Sequence, residues 1–202
     1  MKTKHVDTKR LVLLAMLSAI LLVMSFTPLG YLNIGPLAIS LNMIPVAIGA
    51  IALGPGGGAF LGAVFGITSC LQCVGIGGTS AMGVALFEIS PLLTILQRFV
   101  TRVLAGFLTG VVYRLLKKHL SFFTPYVAGF CAALFNTVFF MAALVLLFSH
   151  TEYLQNLIAG RNILLFIVTF VGINAVVELF ATTLVAGAVG TALDKLKMLG
   201  GK

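Results

Sequence analysis

Apolar runs long enough to cross a lipid bilayer recur along the whole of this chain. A helix of about 20 apolar residues spans the hydrocarbon core of a membrane. Segments of roughly this kind are 11–27, 41–54, 57–74, 91–117, 123–149 and 162–193. Only 9% of the residues are charged, whereas soluble domains carry about 25%. The sequence therefore predicts an all-α integral membrane protein, with six transmembrane helices forming one domain over residues 1–202.

The basic residues predict how these helices are oriented. Most of them fall before the first span, after the fourth or at the end of the chain: Lys2, Lys4, Lys9, Arg10, Arg114, Lys117, Lys118, Lys195, Lys197 and Lys202. Lys and Arg are enriched in cytoplasmic segments, where anionic lipid is the counter-charge. With an even number of spans, both termini are predicted to be cytoplasmic. The net charge of +8 therefore does not indicate a nucleic-acid partner.

Two arginines lie inside the fourth predicted span. Arg98 and Arg102 are four positions apart and share one helix face. If the helix begins near Pro91 at the outer surface, they lie about 10 Å and about 16 Å below it. A charge at membrane depth is costly and by default indicates a functional site. Two interpretations stay open for Arg102: a buried ion pair with Glu178, or a cation that receives an anionic solute.

Other polar side chains at membrane depth are candidates for the same site. Asn174 and Glu178 share one face of the sixth span, and Asn33 belongs to the first outer connection, 28–40. The predicted substrate-binding residues are Asn33, Gln72, Arg98, Arg102, Asn136, Asn174 and Glu178.

Enzyme and metal chemistry find little support in the sequence. The chain has no Gly-x-x-x-x-Gly-Lys-Ser/Thr phosphate-binding loop, and its three histidines are scattered over predicted tails and loops. Cys70 and Cys73 have redox or zinc spacing, but no second ligand pair accompanies them, so we interpret them as small apolar side chains. We predict no catalytic residue, metal or cofactor. A membrane enzyme that uses Glu178 or Glu88 is the alternative.

Small residues recur at four-residue spacing in several spans. Gly58, Gly62 and Gly66 line one face of the third span, and Ala15 and Ala19 one face of the first. Such faces let helix backbones approach closely in lipid. For the three glycines we predict packing inside the protein.

The order of these features resembles the substrate-binding S component of an energy-coupling-factor (ECF) transporter. The resemblance covers nearly the whole chain. Its most specific parts are residues 31–69, from Ile-Gly-Pro to Leu-Gly-Pro and beyond, and the arginine-led segment 102–118. Within the family the chain is most similar to the S components for pantothenate, folate and riboflavin.

The resemblance implies a six-helix protein of the bacterial plasma membrane that binds a vitamin from the outer side. Its partners would be the solute, the lipid bilayer, a transmembrane coupling subunit and two cytoplasmic ATPases. S components dock on the coupling subunit through the small face of helix one, which corresponds here to Ala15 and Ala19. Arg102 matches the arginine that leads the family's fourth-helix motif, and its expected role is to bind the solute.

Pantothenate is the expected solute because its single carboxylate suits bidentate binding by a guanidinium. Folate would use two arginines but needs an aromatic floor, and the chain has no Trp. Riboflavin is uncharged and would leave Arg102 unexplained. Another vitamin, or a secondary transporter that works without partners, is the alternative.

Overall fold

The chain is almost entirely helical, with one short hairpin. The structure is a computed structural model that describes residues 8–33, 38–77, 80–120, 122–160 and 162–195. Its elements in chain order are α1 (Thr8–Ser25), β1 (Tyr31–Asn33), β2 (Ala38–Ser40), α2 (Met43–Leu53), α3 (Pro55–Leu71), α4 (Ala81–Ile89), α5 (Pro91–Leu116), α6 (Thr124–Phe148), α7 (Glu152–Ile158) and α8 (Ile163–Lys195). A single 3₁₀ turn, Gln72–Val74, extends α3.

Within the described ranges, five segments are long and apolar enough to cross a membrane: α1, α3 with its 3₁₀ turn, α5, α6 and the part of α8 from Asn174 onward. Five of the six predicted spans therefore correspond to helices of full length. The remaining one, 41–54, corresponds to α2, which has 11 residues. At about 1.5 Å per residue, α2 is shorter than the hydrocarbon core of a bilayer.

The sequence predicts three outer connections, 28–40, 75–90 and 150–161, and they contain more structure than it indicated. The first contains an antiparallel hairpin in which Tyr31 pairs with Ser40. The second contains α4, whose first turn is capped where the Ser80 hydroxyl accepts a hydrogen bond from the Gly83 backbone N–H. The third contains α7. These elements cover the end of the helix bundle at which α5 begins.

A tight turn joins α2 to α3. Gly54 has φ of 80°, a left-handed conformation that side chains rarely adopt. Pro55 follows as the first residue of α3, where its missing N–H costs no hydrogen bond. The turn packs against α5, because a Cβ built on Gly110 would meet the backbone of Pro55 at 2.5 Å.

Glycines let α3 and α5 approach to backbone contact. A Cβ on Gly58 would clash with the Gly106 carbonyl oxygen, and one on Gly62 would clash with the Arg102 carbonyl oxygen. Gly66 packs against Phe99 in the same way. The prediction that the α3 glycines serve internal packing is confirmed. This contact also fixes the position of the α5 segment that carries both arginines.

We expect Gly58→Ala to destabilise the protein, because the added methyl meets backbone atoms that cannot move aside. Overpacking of this kind costs about 1–3 kcal/mol, and thermal unfolding in detergent measures it. The matched control is Gly56→Ala in the first turn of the same helix, where a Cβ has no neighbour within 4 Å. Equal unfolding temperatures for the two variants would contradict the proposed α3–α5 contact.

Two apolar clusters form the interior. The larger joins α1, α2, α3, α5, α6 and α8 and includes Leu21, Ile51, Leu61 and Phe65. The smaller joins α4, α7 and the adjoining ends of α6 and α8 around Phe148. At the opposite end, the Lys117 ammonium and the Tyr113 hydroxyl both donate hydrogen bonds to the Asp194 carboxylate, at 2.8 Å and 3.0 Å. These bonds tie the C-terminal ends of α5 and α8 together.

Candidate binding site

Both arginines of α5 are buried inside the protein. Arg98 is 4% exposed and Arg102 is 6% exposed. They belong to the buried face of α5, which also carries Gln97 and Thr101. The membrane therefore does not meet these charges, and the polar groups around them decide what they can bind.

Aromatic rings and a backbone carbonyl hold the Arg102 side chain. One terminal nitrogen donates a hydrogen bond to the Arg98 carbonyl oxygen at 2.8 Å. The guanidinium carbon lies 4.4 Å from the centre of the Phe65 ring and 5.6 Å from that of Phe140. Cation–π contacts of this kind stabilise a desolvated cation. The Nε of Arg102 is buried and has no hydrogen-bond partner among the described residues.

No ion pair joins Arg102 to Glu178, although the structure describes both side chains. Instead, a Glu178 oxygen accepts a hydrogen bond from the Asn136 amide nitrogen at 2.8 Å. The buried clamp between the fourth and sixth spans, one of the two sequence interpretations, is therefore absent. The two groups still lie within electrostatic range of each other. Arg102 thus has neither an anionic partner nor water in contact with most of its surface.

Arg98 bridges two helices instead of pairing with an acid. Its two terminal nitrogens donate hydrogen bonds to the Ser69 hydroxyl on α3, at 2.8 Å, and to the Ser80 hydroxyl at the start of α4, at 3.1 Å. A Cβ on Gly83 would lie 2.7 Å from the guanidinium. The side chain therefore fixes the start of α4 against α3.

The hairpin contributes a polar wall that the sequence did not indicate. The Tyr31 hydroxyl lies close to the side chains of Asn42 and Ser69 and within electrostatic range of both arginines. Burial raises the pKa of Tyr31 against the opposing effect of the two guanidinium groups, so the hydroxyl is neutral. Neither this hydroxyl nor the Asn42 amide has a hydrogen-bond partner in the described ranges.

The remaining predicted site residues have different surroundings. Gln72 donates a hydrogen bond from its amide nitrogen to the Ser25 carbonyl oxygen at 2.7 Å, which ties the end of α3 to the end of α1. Asn174 is buried one turn from Glu178 on α8. The side chain of Asn33 lies outside the described part of the structure. Ala15 and Ala19 are both exposed on α1.

The buried face of α5 carries a further polar side chain at membrane depth that was not among the predicted binding residues. Gln97 is fully buried, and neither polar atom of its side chain has a partner among the residues described. Burial without a partner costs about 1–3 kcal/mol for a polar group. A set of such groups around two cations is the arrangement expected of a site that binds a polar, anionic molecule. The buried Cys73 thiol donates a hydrogen bond to the Ser69 backbone carbonyl oxygen, and all three cysteines are free.

Comparisons with known proteins find two similarities. The family described as the substrate-specific component of ECF transporters matches residues 9–189. The chain is also 29% identical to the pantothenate transporter PanT of Leuconostoc mesenteroides subsp. mesenteroides, over 195 residues that cover 92% of each protein. Both matched regions include the arginines of α5 and the polar groups around them.

Proposed function

This chain belongs to the substrate-specific components of ECF transporters, and on that premise we propose that it binds pantothenate at the buried arginine cluster. The family is one of transporter components, so the chain is a multi-pass protein of the cell membrane and not an enzyme. The observation that carries the proposal is Arg102, a buried cation for which the protein provides no anionic partner.

Charge and hydrogen-bonding capacity support a monoanion. Arg102 makes no ion pair, and the Glu178 carboxyl group hydrogen-bonds to Asn136 instead. Pantothenate brings one carboxylate, and its amide group matches the unpartnered polar atoms of Tyr31 and Asn42. Riboflavin is uncharged and would leave Arg102 without an anionic partner. The similarity to a pantothenate transporter supports the same solute.

We propose that Arg102 binds the carboxylate directly. Asn136, Asn174 and Glu178 are proposed as further residues that contact the solute. Arg98 has a second role beside its charge. Because it holds Ser69 and Ser80 together, it couples the solute site to α4. The hairpin and α4 then act as a gate that closes over the bound solute.

The arrangement in the membrane follows from the charges. Arg114, Lys117 and Lys195 lie at the C-terminal ends of α5 and α8. We infer that this end faces the cytoplasm, so that both termini are cytoplasmic and the gate faces outward. In this arrangement α2 is the sixth helix of the bundle. It is shorter than the hydrocarbon core, but the turn that enters α3 extends it, and it is buried against α3, α5 and α8.

Transport requires the general partners of an ECF transporter. We propose a transmembrane coupling subunit and two cytoplasmic ATPases, which would supply the ATP-binding motif that this chain lacks. Ala15 and Ala19 are proposed to dock on the coupling subunit, because they lie on an exposed face of α1 together with Val12, Met16 and Val23.

Purification followed by mass spectrometry tests the proposed solute. We expect pantothenate to co-purify with the protein and to rebind after removal. Rebinding should slow hydrogen exchange in the hairpin and in α4, because the gate becomes ordered. A different co-purified vitamin, or no saturable binding of pantothenate by the stripped protein, would overturn the proposal.

A further inference from the structure

Glu178 and Asn136 form an acceptor-rich group that faces the arginines across the site. The Glu178 carboxyl accepts from the Asn136 amide nitrogen at 2.8 Å. The amide nitrogen is the donor in this bond, so the Asn136 carbonyl oxygen points away from Glu178. That oxygen is buried and has no partner among the described residues. The carbonyl oxygen of Asn136 therefore requires a donor, and it lies beside the Glu178 carboxyl group.

Neither of the two guanidinium groups donates a hydrogen bond to Glu178 or Asn136. Arg102 lies within electrostatic range of Glu178 but donates to the Arg98 carbonyl oxygen and rests on Phe65. Arg98 donates to Ser69 and Ser80. The site therefore has a donor end on α5 and an acceptor end between α6 and α8, and the two ends do not satisfy each other.

We propose that the acceptor end binds the hydroxyl groups of the solute and excludes solutes phosphorylated there. The inference rests on the proposed function, since pantothenate carries a carboxylate at one end and two hydroxyl groups at the other. Its carboxylate binds Arg102, and its hydroxyl groups donate to Glu178 and Asn136. Glu178 is thereby a specificity-determining residue, and the orientation of the solute in the site is fixed.

Phosphorylation of the primary hydroxyl reverses the chemistry at the acceptor end. The hydroxyl loses its donor, and a phosphate with a charge of about −1.5 to −2 at neutral pH brings acceptor oxygens instead. These oxygens would face the Glu178 carboxyl and the Asn136 carbonyl oxygen without water between them. Like charges and unsatisfied acceptors then disfavour binding. The site thus selects the unphosphorylated vitamin.

Three ligands separate the two ends of the site in a competition-binding experiment. They are pantothenate, its alcohol analogue in which CH₂OH replaces the carboxylate, and pantothenate phosphorylated on the primary hydroxyl. We expect Glu178→Gln to weaken pantothenate binding about tenfold, as the loss of one charge-assisted hydrogen bond implies. The preference for pantothenate over the phosphorylated compound should fall at least tenfold. The preference over the alcohol analogue should stay unchanged, because the carboxylate end is untouched.

Two further variants keep the test decisive. Glu88→Gln is the matched control, since Glu88 is exposed on α4 and should alter none of the three affinities. Asn136→Leu removes the carbonyl acceptor and should weaken the binding of pantothenate and of the alcohol analogue equally. This variant tests the proposal even if Glu178→Gln fails to fold. An altered preference over the alcohol analogue in either site variant, or an unchanged preference over the phosphorylated compound in Glu178→Gln, would overturn the proposed orientation. Absence of pantothenate binding by the unmodified protein would instead overturn the proposed function.

Discussion

Replacing Arg102 with glutamine should weaken pantothenate binding by about ten- to a hundredfold. A charge-assisted hydrogen bond contributes about 1.5–3 kcal/mol, and this range converts to that loss of affinity. The effect should be at the upper end, because Arg102 is 6% exposed and no water replaces the lost guanidinium. Titration of the purified, ligand-free protein with pantothenate measures the change. Arg114→Gln, at an exposed position near the other end of the same helix, is the control and should bind normally.

Stability measurements distinguish a binding role for Arg102 from a structural one. The guanidinium makes no ion pair with Glu178, so its removal orphans no buried carboxylate. The ligand-free Arg102→Gln protein should therefore unfold at nearly the same temperature as the unmodified protein. Adding Glu178→Gln should not restore stability, since none was lost. A large drop in unfolding temperature that the double variant reverses would indicate that the two side chains form a pair. Normal binding by a stable Arg102→Gln protein would rule out the carboxylate contact.

The helices that form the site could be predicted from the sequence because their signals are long and local. A continuous apolar run predicts a spanning helix, and α5 begins at Pro91, as the depth argument for the arginines assumed. The glycine spacing in α3 predicted a helix contact, and the structure identifies α5 as the partner helix. Periodicity thus revealed which residues share a face but not which helix that face meets.

The gate could not be predicted because its elements are short. The hairpin strands have three residues each, and α4 has nine. Segments of this length show too few periods to distinguish strand, helix and loop. Tyr31 and Ser80 therefore looked like ordinary loop residues. Their contribution to the site depends on how the connections fold back over the bundle, which no local pattern records.

Polarity at membrane depth does not distinguish a contact with the solute from a contact between helices. Gln72 has the depth and chemistry of a solute ligand, yet its amide nitrogen is used to join α3 to α1. The choice between an ion pair and a solute contact for Arg102 depends on the rotation of α5 relative to α8. A rotation of a few tens of degrees would decide it, and helix periodicity does not determine rotation between neighbours to that accuracy.

A bulky residue at Ala15 or Ala19 should abolish uptake while leaving solute binding intact. Both alanines are exposed on α1, whose inward side is formed by Leu17, Leu21 and Ser25. A leucine at either position therefore meets no atom inside the protein. It would instead hold the coupling subunit away, because close helix approach in lipid depends on small residues. Uptake of labelled pantothenate by cells with the complete transporter should fall to background. Binding by the isolated protein should be unchanged.

The control for this prediction is an alanine with the same exposure on another helix. Ala188 is exposed on α8, and Ala188→Leu should leave both uptake and binding unchanged. The comparison separates loss of docking from a general effect of an added leucine on insertion or expression. Co-purification with the coupling subunit gives a second readout, which Ala15→Leu and Ala19→Leu should lose and Ala188→Leu should keep. Loss of solute binding together with uptake would assign the two alanines to the internal fold, and normal uptake in both variants would place the docking surface elsewhere.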